Sequence, residues 1–412
     1  MNRRAVVTGL GVVSPVGIGK ENYWRALEAA QNGIRKIESF DTTDYSVKIA
    51  AEVKDFDPAE YMPKKDAKRN DRVIQFAAAA STLAVKDANL DTASLDPWRF
   101  GVYIGSGQGG FLTCTEGQHA LFTGGPRRVG PFVIPMMINN MSSAYTAILH
   151  GAKGPNMSIV TACASSINSI GEAWHAVLRG DADVVLAGGT EACICGLTVA
   201  GFASMKALCA NHNDDPEHAS RPFDANRSGF ILSEGAGVLV IEELEHALAR
   251  GAHIYAEIKG YGATCDAGHI TAPDHEGTGA AKAMERAVRQ AGWDCVDLIN
   301  AHGTSTGLND AMESKAINSL FGDKASSILV NSTKSILGHA LGAAGGLETI
   351  AAIQSIEEGI VHKTMNYETP DPECNVNVVA ETLHDQKIER VLVNNFGFGG
   401  HNGVLALGAY GK

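Results

Sequence analysis

The sequence predicts an α/β fold, and two observations support this. Apolar runs of strand length alternate along the chain with longer segments of helical periodicity, which is typical of buried strands beneath helices. Most of these runs end in glycine or a small polar residue, and the chain has 46 glycines but only 13 prolines. A chain with many glycines and few prolines suits tight turns from strand to helix, so a layered α/β protein is expected.

The predicted strands form two similar series. The first series is RAVVTG, FGVYIGSG, MSIVTA and ADVVLAGG, and the second is AEIKGYG, DLINAHGT, SILVNST and RVLVNNFG. We expect a weak internal duplication into residues 1–250 and 251–412. No linker rich in Pro and Ser separates the halves, so they should pack as one body. Ligands of open α/β sheets bind at the carboxyl ends of strands, where this chain has Gly, Ser, Thr, Asn and His.

Composition and charge argue against some classes of function. Of 412 residues, 45% are hydrophobic and 19% are charged, as in ordinary folded proteins. A net charge of −12 argues against a general nucleic-acid binder. The start, MNRRAVVTGLGVVSPVG, is interpreted as a first strand rather than a signal peptide, and no run of 18 apolar residues predicts a membrane span. Eight scattered cysteines indicate a reducing compartment, the cytoplasm.

The segment VTACASSIN, residues 160–168, places Cys163 between a predicted strand and a predicted helix. In that helix an apolar stripe recurs at three- and four-residue spacing, and Gly180 supplies the stop; the stripe is Ile167, Ile170, Trp174, Val177 and Leu178. Unpaired N–H groups and the positive dipole end favour an anion at a helix start. We therefore expect the Cys163 thiol to lose its proton more readily than a free thiol.

Three further stretches carry polar groups at predicted strand ends. NAHGTST holds His302, NSTKSILGHALGAAGG holds Lys334 and His339, and NNFGFGGHNG packs glycines around Phe396 and Phe398. A cysteine can attack a thioester and hold an acyl group. Two neutral imidazoles can donate hydrogen bonds to one developing oxyanion, and a glycine turn can bring a backbone N–H close to it. The combination suits acyl transfer.

Together VTACASSIN, NAHGTST, STKSILGHALGAAG and NNFGFGGHNG resemble the β-ketoacyl-acyl-carrier-protein synthases, most closely type II of bacterial fatty acid synthesis. The resemblance covers essentially the whole chain. It implies the thiolase fold, two duplicated α/β halves in a five-layered α-β-α-β-α arrangement. It also implies decarboxylative condensation of an acyl-cysteine with malonyl-carrier protein, which lengthens the chain by two carbons.

The resemblance also implies residue roles. Cys163 is the nucleophile, His302 and His339 bind the malonyl thioester oxygen, and Lys334 supports the histidines. The N–H groups of Cys163 and Phe398 form the oxyanion hole, and Phe398 gates the acyl pocket. The expected substrate-binding residues are Thr304 and Thr306, which hold the pantetheine arm, together with Thr271, Gln108, Phe396 and Glu348, the last as the ion-pair partner of Lys334.

Acyl-carrier protein is the partner that the resemblance implies, with substrates on its phosphopantetheine arm and no cofactor or metal of the enzyme's own. Positions that match the family's contacts with the acidic carrier are Lys65, Lys68, Arg69, Arg127, Arg128 and Lys206. Complementary charge would speed that encounter. A homodimer is expected, or a heterodimer with a chain-length-factor-like subunit.

Several alternatives stay open at this point. A non-catalytic partner subunit would lack Cys163, His302 and His339. A Cys-His hydrolase would need neither two histidine motifs nor the lysine, and a thiolase or type III synthase should lack FGFGGHN. The rival within the family is a ketosynthase of a polyketide or polyene pathway, because Gln108 stands where an aliphatic residue commonly lines the acyl pocket. Cys114, Gln118 and His119 are nearby in sequence and are expected to add to a polar wall.

Two motifs are interpreted as structural. TGLGVVSPVG has only part of a dinucleotide-binding pattern, with Ser14 in place of the third glycine. Cys193 and Cys195 lack a second Cys/His pair at metal-binding spacing, so plain packing is expected for them.

Overall fold

A mixed sheet of twelve strands organises the computed structural model, which describes residues 3–411. The strands are β1 Ala5–Ser14, β2 Gly17–Ile18, β3 Arg35–Lys36, β4 Ile49–Ala50, β5 Phe100–Gly105, β6 Asn156–Met157, β7 Val184–Glu191, β8 Gly235–Glu243, β9 Ala256–Cys265, β10 Leu298–Asn300, β11 Leu329–Asn331, β12 Asn377–Val378, β13 Arg390–Gly397 and β14 His401–Gly408. The strands β3 and β4 pair only with each other. The helices are α1 Lys20–Glu28, α2 Lys64–Ala67, α3 Arg72–Asp87, α4 Phe111–Gly124, α5 Val133–Met137, α6 Met141–His150, α7 Ser165–Arg179, α8 Gly196–Ser204, α9 Leu244–Ala249, α10 Thr278–Ala291, α11 Gly307–Phe321, α12 Lys334–Leu337 and α13 Ala344–Glu358.

The strand order repeats, which confirms the duplicated architecture. Along the sheet the order is β12-β11-β10-β13-β14-β9 followed by β1-β8-β7-β5-β6. Numbered within its own half, each set of five main strands has the order 3-2-4-5-1, with parallel pairs among strands 3, 2 and 4 and antiparallel pairs among 4, 5 and 1. The halves join where β1 meets β9 over two residue pairs.

Five layers follow from the helix packing. In the middle layer, α7 and α13 lie between β5, β7 and β8 on one side and β9, β13 and β14 on the other. An outer layer of α3 and α6 covers the first half of the sheet, and α10 and α11 cover the second. This is the five-layered α-β-α-β-α thiolase-type arrangement. Within residues 3–411, no helix has the length and apolarity needed to span a bilayer.

Seven of the eight predicted strands are present and buried along most of their length, but the prediction for MSIVTA is wrong in two respects. Only Asn156 and Met157 pair as β6, and Ser158–Val160 continue without ladder partners. Met157 and Val160 are also about half exposed, because β6 is the last strand of the sheet and no described residue covers that edge.

The glycines of TGLGVVSPVG lie inside β1 and not in a phosphate-binding turn. A Cβ at Gly9 would stand 2.3 Å from the carbonyl oxygen of Ala84, and one at Gly11 would stand 1.8 Å from that of Ala80. Both contacts are shorter than any real Cβ contact, so only glycine lets α3 pack this closely on the strand. The structural interpretation of this motif is confirmed.

Candidate active site

A cavity of about 510 Å³ brings most of the predicted site residues together. Cys163, His302 and His339 lie at its base. Its walls include the predicted Gln108, Thr271, Thr304, Thr306, Lys206, Phe396 and Phe398. Lys334 and Glu348 do not line it, so the placement of Glu348 among substrate-contacting residues is wrong; both side chains are buried behind the histidines.

Cys163 is held by a strained turn at the start of α7. Ala162, immediately before it, has φ 51°, a conformation that residues with a Cβ rarely adopt. Ala164 then caps α7, and the backbone enters the helix at Ser165. The predicted stripe packs into the middle layer, with Leu178 only partly buried, and the helix ends at left-handed Gly180. The sharp turn presents Sγ to the cavity, and such strain is typical of functional positions.

The burial of this thiol argues against the expectation that it ionises readily. Burial raises the pKa of Cys163 to about 12, although the Lys334 charge acts to lower it. The side chain is 8% exposed and packs among apolar groups. Loss of hydration of a thiolate therefore outweighs the favourable position at the helix start.

The two histidines converge on the thiol. Nε2 of His339 lies 3.0 Å from Sγ of Cys163, and the His302 and His339 rings are 5.3 Å apart and nearly perpendicular. Burial, reinforced by the Lys334 charge, lowers the pKa of both rings well below the usual value, so both are neutral at pH 7. Neither Nδ1 atom has a hydrogen-bond partner within residues 3–411, so the described protein contact of a ring nitrogen is that of Nε2 of His339 with the Cys163 thiol.

Backbone contacts fix the positions of both rings. His339 donates its N–H to the carbonyl of Ile231 at 2.7 Å, and its own carbonyl accepts from Ser233. On the other side, the carboxylate of Glu313 accepts from the N–H groups of His302 and Gly303, both at 2.9 Å.

Sequence reasoning missed Glu313. It is completely buried on α11 and also accepts from Nδ2 of Asn394 at 3.0 Å. Its only sequence signal is an acidic residue in a helix immediately after the HGTST turn, and nothing in the pattern shows which way that side chain points.

Lys334 and Glu348 form the predicted ion pair, buried to 2% exposure on both sides. Glu348 also accepts from Nδ2 of Asn395 at 2.5 Å. A buried pair with satisfied neighbours keeps its charges in place, whereas loss of one partner would leave an uncompensated charge. The ammonium of Lys334 therefore remains near the cysteine and both histidines.

The glycine turn after β13 closes the site above Cys163. A Cβ on Gly397 would stand 2.6 Å from the Thr161 carbonyl and 3.1 Å from the Cys163 nitrogen, so only glycine permits this approach. The N–H groups of Cys163 and Phe398 donate no hydrogen bond to another described residue and remain available to an oxyanion. The Phe398 ring packs at 6.3 Å on Phe202, which in turn contacts Phe230 beside His339.

The loop that carries Gln108 depends on a second acid that sequence reasoning missed. Buried Glu191, at the end of β7, accepts from the N–H groups of Gly107 at 2.8 Å, Gln108 at 3.1 Å and Gly342 at 2.9 Å. Gln108 then lines the cavity, and its Oε1 accepts from the Thr198 hydroxyl at 3.5 Å. Its Nε2 donates to no other described residue.

The expected contribution of neighbouring residues to a polar pocket wall is wrong. Cys114, Gln118 and His119 lie on α4 with exposed side chains, and none lines the cavity. A helix turns its faces by about 100° per residue, so nearness in sequence to Gln108 did not fix their direction.

The six predicted carrier-contact cations are all exposed, and none forms an ion pair with the residues that the structure describes; they are Lys65, Lys68, Arg69, Arg127, Arg128 and Lys206. The guanidinium of Arg69 lies over the Phe132 ring at 4.7 Å, which brings the two basic segments toward one another. Lys206 is not part of these two segments and lies in the wall of the cavity.

A duplicated α/β fold with a buried thiol and two neutral imidazoles at the base of one cavity is typical of thiolase-fold acyltransferases that form C–C bonds. Residues 2–247 match the family model "Beta-ketoacyl synthase, N-terminal domain", and residues 255–368 match "Beta-ketoacyl synthase, C-terminal domain". The chain therefore belongs to the beta-ketoacyl synthase family.

Known proteins match this chain over nearly its full length. The chain is 48% identical to 3-oxoacyl-acyl-carrier-protein synthase 2 of Synechocystis sp., over 99% of this chain and 98% of that protein. Among solved structures, the ishigamide ketosynthase/chain length factor matches with a TM-score of 0.93 at 35% identity, covering 100% of both chains. The ketosynthase of the AntDE:AntF complex, a type II polyketide synthase acyl-carrier protein with its ketosynthase bound to the hexaketide, matches with a TM-score of 0.91 at 32% identity, over 99% of this chain and 100% of that chain.

Proposed function

We propose that the chain loads an acyl group from acyl-carrier protein onto Cys163 and condenses it with malonyl-carrier protein, giving a β-ketoacyl-carrier protein two carbons longer in fatty acid synthesis. The observation that carries this proposal is the convergence of Sγ of Cys163, 3.0 Å from Nε2 of His339, with His302 at the base of one cavity. A hydrolase would need one base, whereas this site has two neutral imidazoles and a buried lysine.

In the first half-reaction the thiol attacks the thioester carbonyl of the acyl-carrier protein. Because burial keeps Cys163 protonated, its proton moves to Nε2 of the neutral His339 as the S–C bond forms. The carbonyl oxygen becomes an oxyanion and accepts from the N–H groups of Cys163 and Phe398. The carrier thiol leaves with the proton that His339 returns.

In the second half-reaction malonyl-carrier protein occupies the same cavity. Its carboxylate leaves as carbon dioxide and its electron pair stays on the α-carbon as an enolate. N–H groups of His302 and His339 donate to the enolate oxygen, because the acylated Cys163 has no S–H left to donate to Nε2 of His339. The α-carbon then attacks the acyl carbonyl, and Cys163 leaves as a thiolate that takes up one proton from solvent to restore the thiol. The Lys334 charge supports this step by keeping both rings neutral.

The threonines of the cavity suit the pantetheine arm. The hydroxyls of Thr304 and Thr306 are 2.8 Å apart, and both line the cavity together with Thr271. An arm with two amide groups offers donors and acceptors to such hydroxyls. At the surface, the six unpaired cations on a chain of net charge −12 support docking of an acidic carrier.

A second copy of this chain is the proposed partner in a dimer. Helices α4, α5 and α6 and the bare edge at β6 expose large apolar side chains that include Phe122 at 81%, Ile134 at 62%, Ile148 at 73% and Met157 at 51%. Contacts of α5 with α4 and α6, and of α6 with β6, make this surface continuous. Contiguous apolar surface next to an unpaired strand is typical of a dimer interface. A chain-length-factor-like subunit is the alternative occupant.

Gln108 favours a second candidate, a ketosynthase of a polyketide or polyene pathway. Gln108 lines the cavity with no partner for its Nε2 among the described residues, in a wall that also holds apolar side chains such as Phe202, Phe398 and Leu341. Leaving the amide donor without a hydrogen-bond acceptor against a saturated chain costs about 1–3 kcal/mol. An oxygenated or conjugated chain would interact with this donor more favourably.

Two further proposals concern the boundary between the halves and the cellular compartment. We propose that the boundary lies at residue 250, in the connection between α9 and β9. The cytoplasm is the proposed compartment, since all eight cysteines are free thiols.

Intact-protein mass spectrometry tests the proposed function. The purified protein is mixed with a panel of saturated and polyunsaturated acyl-carrier proteins, and malonyl-carrier protein is added afterwards. We expect acyl mass on Cys163 from saturated chains, extension by two carbons, and slower loading at high salt. Loading by unsaturated or keto-bearing chains alone would support the second candidate, and no loading by any member would contradict both.

A further inference from the structure

The three groups at the base of the cavity have the composition of a metal site. Sγ of Cys163 and one ring nitrogen each of His302 and His339 lie within 4.8 Å of one another. In a tetrahedral zinc site, bond lengths near 2.0 and 2.3 Å place such ligand atoms about 3.3–3.6 Å apart. The three atoms therefore need to approach one another by at most about 1.2–1.5 Å to reach coordination distance.

The ligand types also suit a transition-metal ion. Cysteine sulfur and imidazole nitrogen are the ligands that Zn²⁺ takes in proteins, and all three residues are buried around one point. Thiolate and imidazole together prefer thiophilic ions such as Zn²⁺ over Mg²⁺ or Ca²⁺. The cavity of about 510 Å³ leaves the fourth tetrahedral position open to water.

We propose that the unacylated enzyme binds one Zn²⁺ ion through Cys163, His302 and His339, and that this ion inhibits the enzyme reversibly. On binding, the S–H bond breaks, an S–Zn bond forms, and the proton passes to solvent. The ion occupies the nucleophile and both oxyanion donors at once, so neither half-reaction proceeds. A thioester sulfur is a poor ligand, so acylation of Cys163 and metal binding exclude one another.

Charge around the site limits the affinity. The Lys334 ammonium repels a dication bound at Cys163. The carboxylates of Glu348 and Glu191 also act on Cys163, and their negative charge attracts a dication. One thiolate reduces the charge of the bound ion to +1. The resulting affinity is that of an inhibitory site which acyl substrate displaces, and not that of a structural zinc site with four protein ligands.

Cobalt(II) is a suitable probe because its spectrum reports the ligands directly. Titration of the full-length protein with Co²⁺ should give a thiolate-to-metal charge-transfer band and the intense visible bands of a four-coordinate ion. Cys163→Ser should abolish the charge-transfer band, and His302→Ala should weaken binding at least about tenfold. The double variant Cys114→Ser/Cys265→Ser removes two exposed thiols and should leave the spectrum unchanged.

Alkylation of Cys163 with iodoacetamide gives a second test that requires no variant to fold, and it should eliminate the band. Zn²⁺ added before acyl-carrier protein should block loading, and Zn²⁺ added after loading should not remove the acyl group. No charge-transfer band, or a band that survives Cys163→Ser or alkylation, would overturn the inference. The inference shares its residues with the proposed function but fails separately, since the cobalt spectrum needs no turnover and acyl loading needs no metal.

Discussion

The two halves of the molecule share one strand order but contribute different chemistry to the site. Strand 3 of the first half, β6, leads through a strained turn to Cys163 and α7, and strand 3 of the second half, β11, leads to Lys334 and His339. Strand 2 leads to Gln108 in the first half and to His302 in the second. The repeated topology places all these strand ends around one cavity, where the first half contributes Cys163, the proposed nucleophile, and the second contributes His302 and His339, the proposed oxyanion donors.

The halves also differ at their outer edges. In the second half β12 pairs with β11, whereas in the first half β6 has no further strand. Both edges are open within the described residues, since β12 pairs with β11 alone. Around β6 the exposed side chains are large and apolar, whereas β12 begins with the exposed Asn377. The apolar edge at β6, close to the segment that holds Cys163, is therefore the one that we propose for a second subunit.

Cys163→Gln should separate the contribution of Cys163 from that of the two histidines, and it should have the largest effect on condensation. A neutral amide cannot accept an acyl group, so we expect condensation to fall below detection. Malonyl decarboxylation should persist or increase, because it uses the histidines of the second half and the amide resembles an acyl-cysteine. Release of carbon dioxide and product mass measure the two activities. Cys295→Ser, at a thiol in the outer part of the second half, is the matched control and should retain both activities. Loss of both in a folded Cys163→Gln protein would contradict the division of roles.

His302→Ala and His339→Ala should each reduce decarboxylation by about 10²–10³-fold, the usual loss for one oxyanion donor. His384→Ala, at an exposed position, should change nothing. An unchanged rate in either site variant would remove that residue from the proposed role.

The same reaction has an expected pH dependence. Because burial lowers the pKa of both rings, their active neutral forms persist below the ordinary value of about 6.5 and are lost only as the pH falls through the lowered pKa. Carbon dioxide release between pH 8 and about pH 5.5 should therefore show no decline centred near pH 6.5. A decline there would mean that the rings are hydrated during the reaction.

Much of the grouping of residues in this candidate site was predictable from the sequence, because the residues at the base of the cavity follow short apolar strands in recognisable motifs. Cys163, His302, His339 and Phe398 needed only those motifs. Glu191 was not predictable, since it accepts backbone N–H groups from loops that are distant in sequence. Glu313 lies only ten residues after the turn that it holds, but the sequence does not show that its side chain points back to that turn. The raised pKa of Cys163 was not predictable either, because helix position is a local feature whereas desolvation depends on all the elements packed around the thiol.

Met157→Asp should disrupt the proposed dimer, because it places a charge on the bare β6 edge. We expect the dissociation constant to rise at least about tenfold, since burying an unpaired carboxylate costs several kcal/mol. Analytical ultracentrifugation over a range of concentrations measures it. Asn377→Asp, on the corresponding edge of the second half, is the matched control and should leave the mass unchanged. Equal effects of both variants, or none from Met157→Asp, would contradict the proposed asymmetry.

Gln108→Ile should have the smallest effect, a change of preference and not of rate. It removes the unpartnered Nε2 donor and places an aliphatic side chain against the acyl chain, so loading of long saturated primers should improve relative to oxygenated ones. Since an unmet amide costs about 1–3 kcal/mol, the ratio of the two loading rates should change by about 5–150-fold. Gln118→Ile, on the exposed face of α4 outside the cavity, is the control and should leave the ratio unchanged. An unaltered ratio in Gln108→Ile would mean that the acyl chain avoids the Gln108 wall, and the first half would then supply the nucleophile without selecting what it carries.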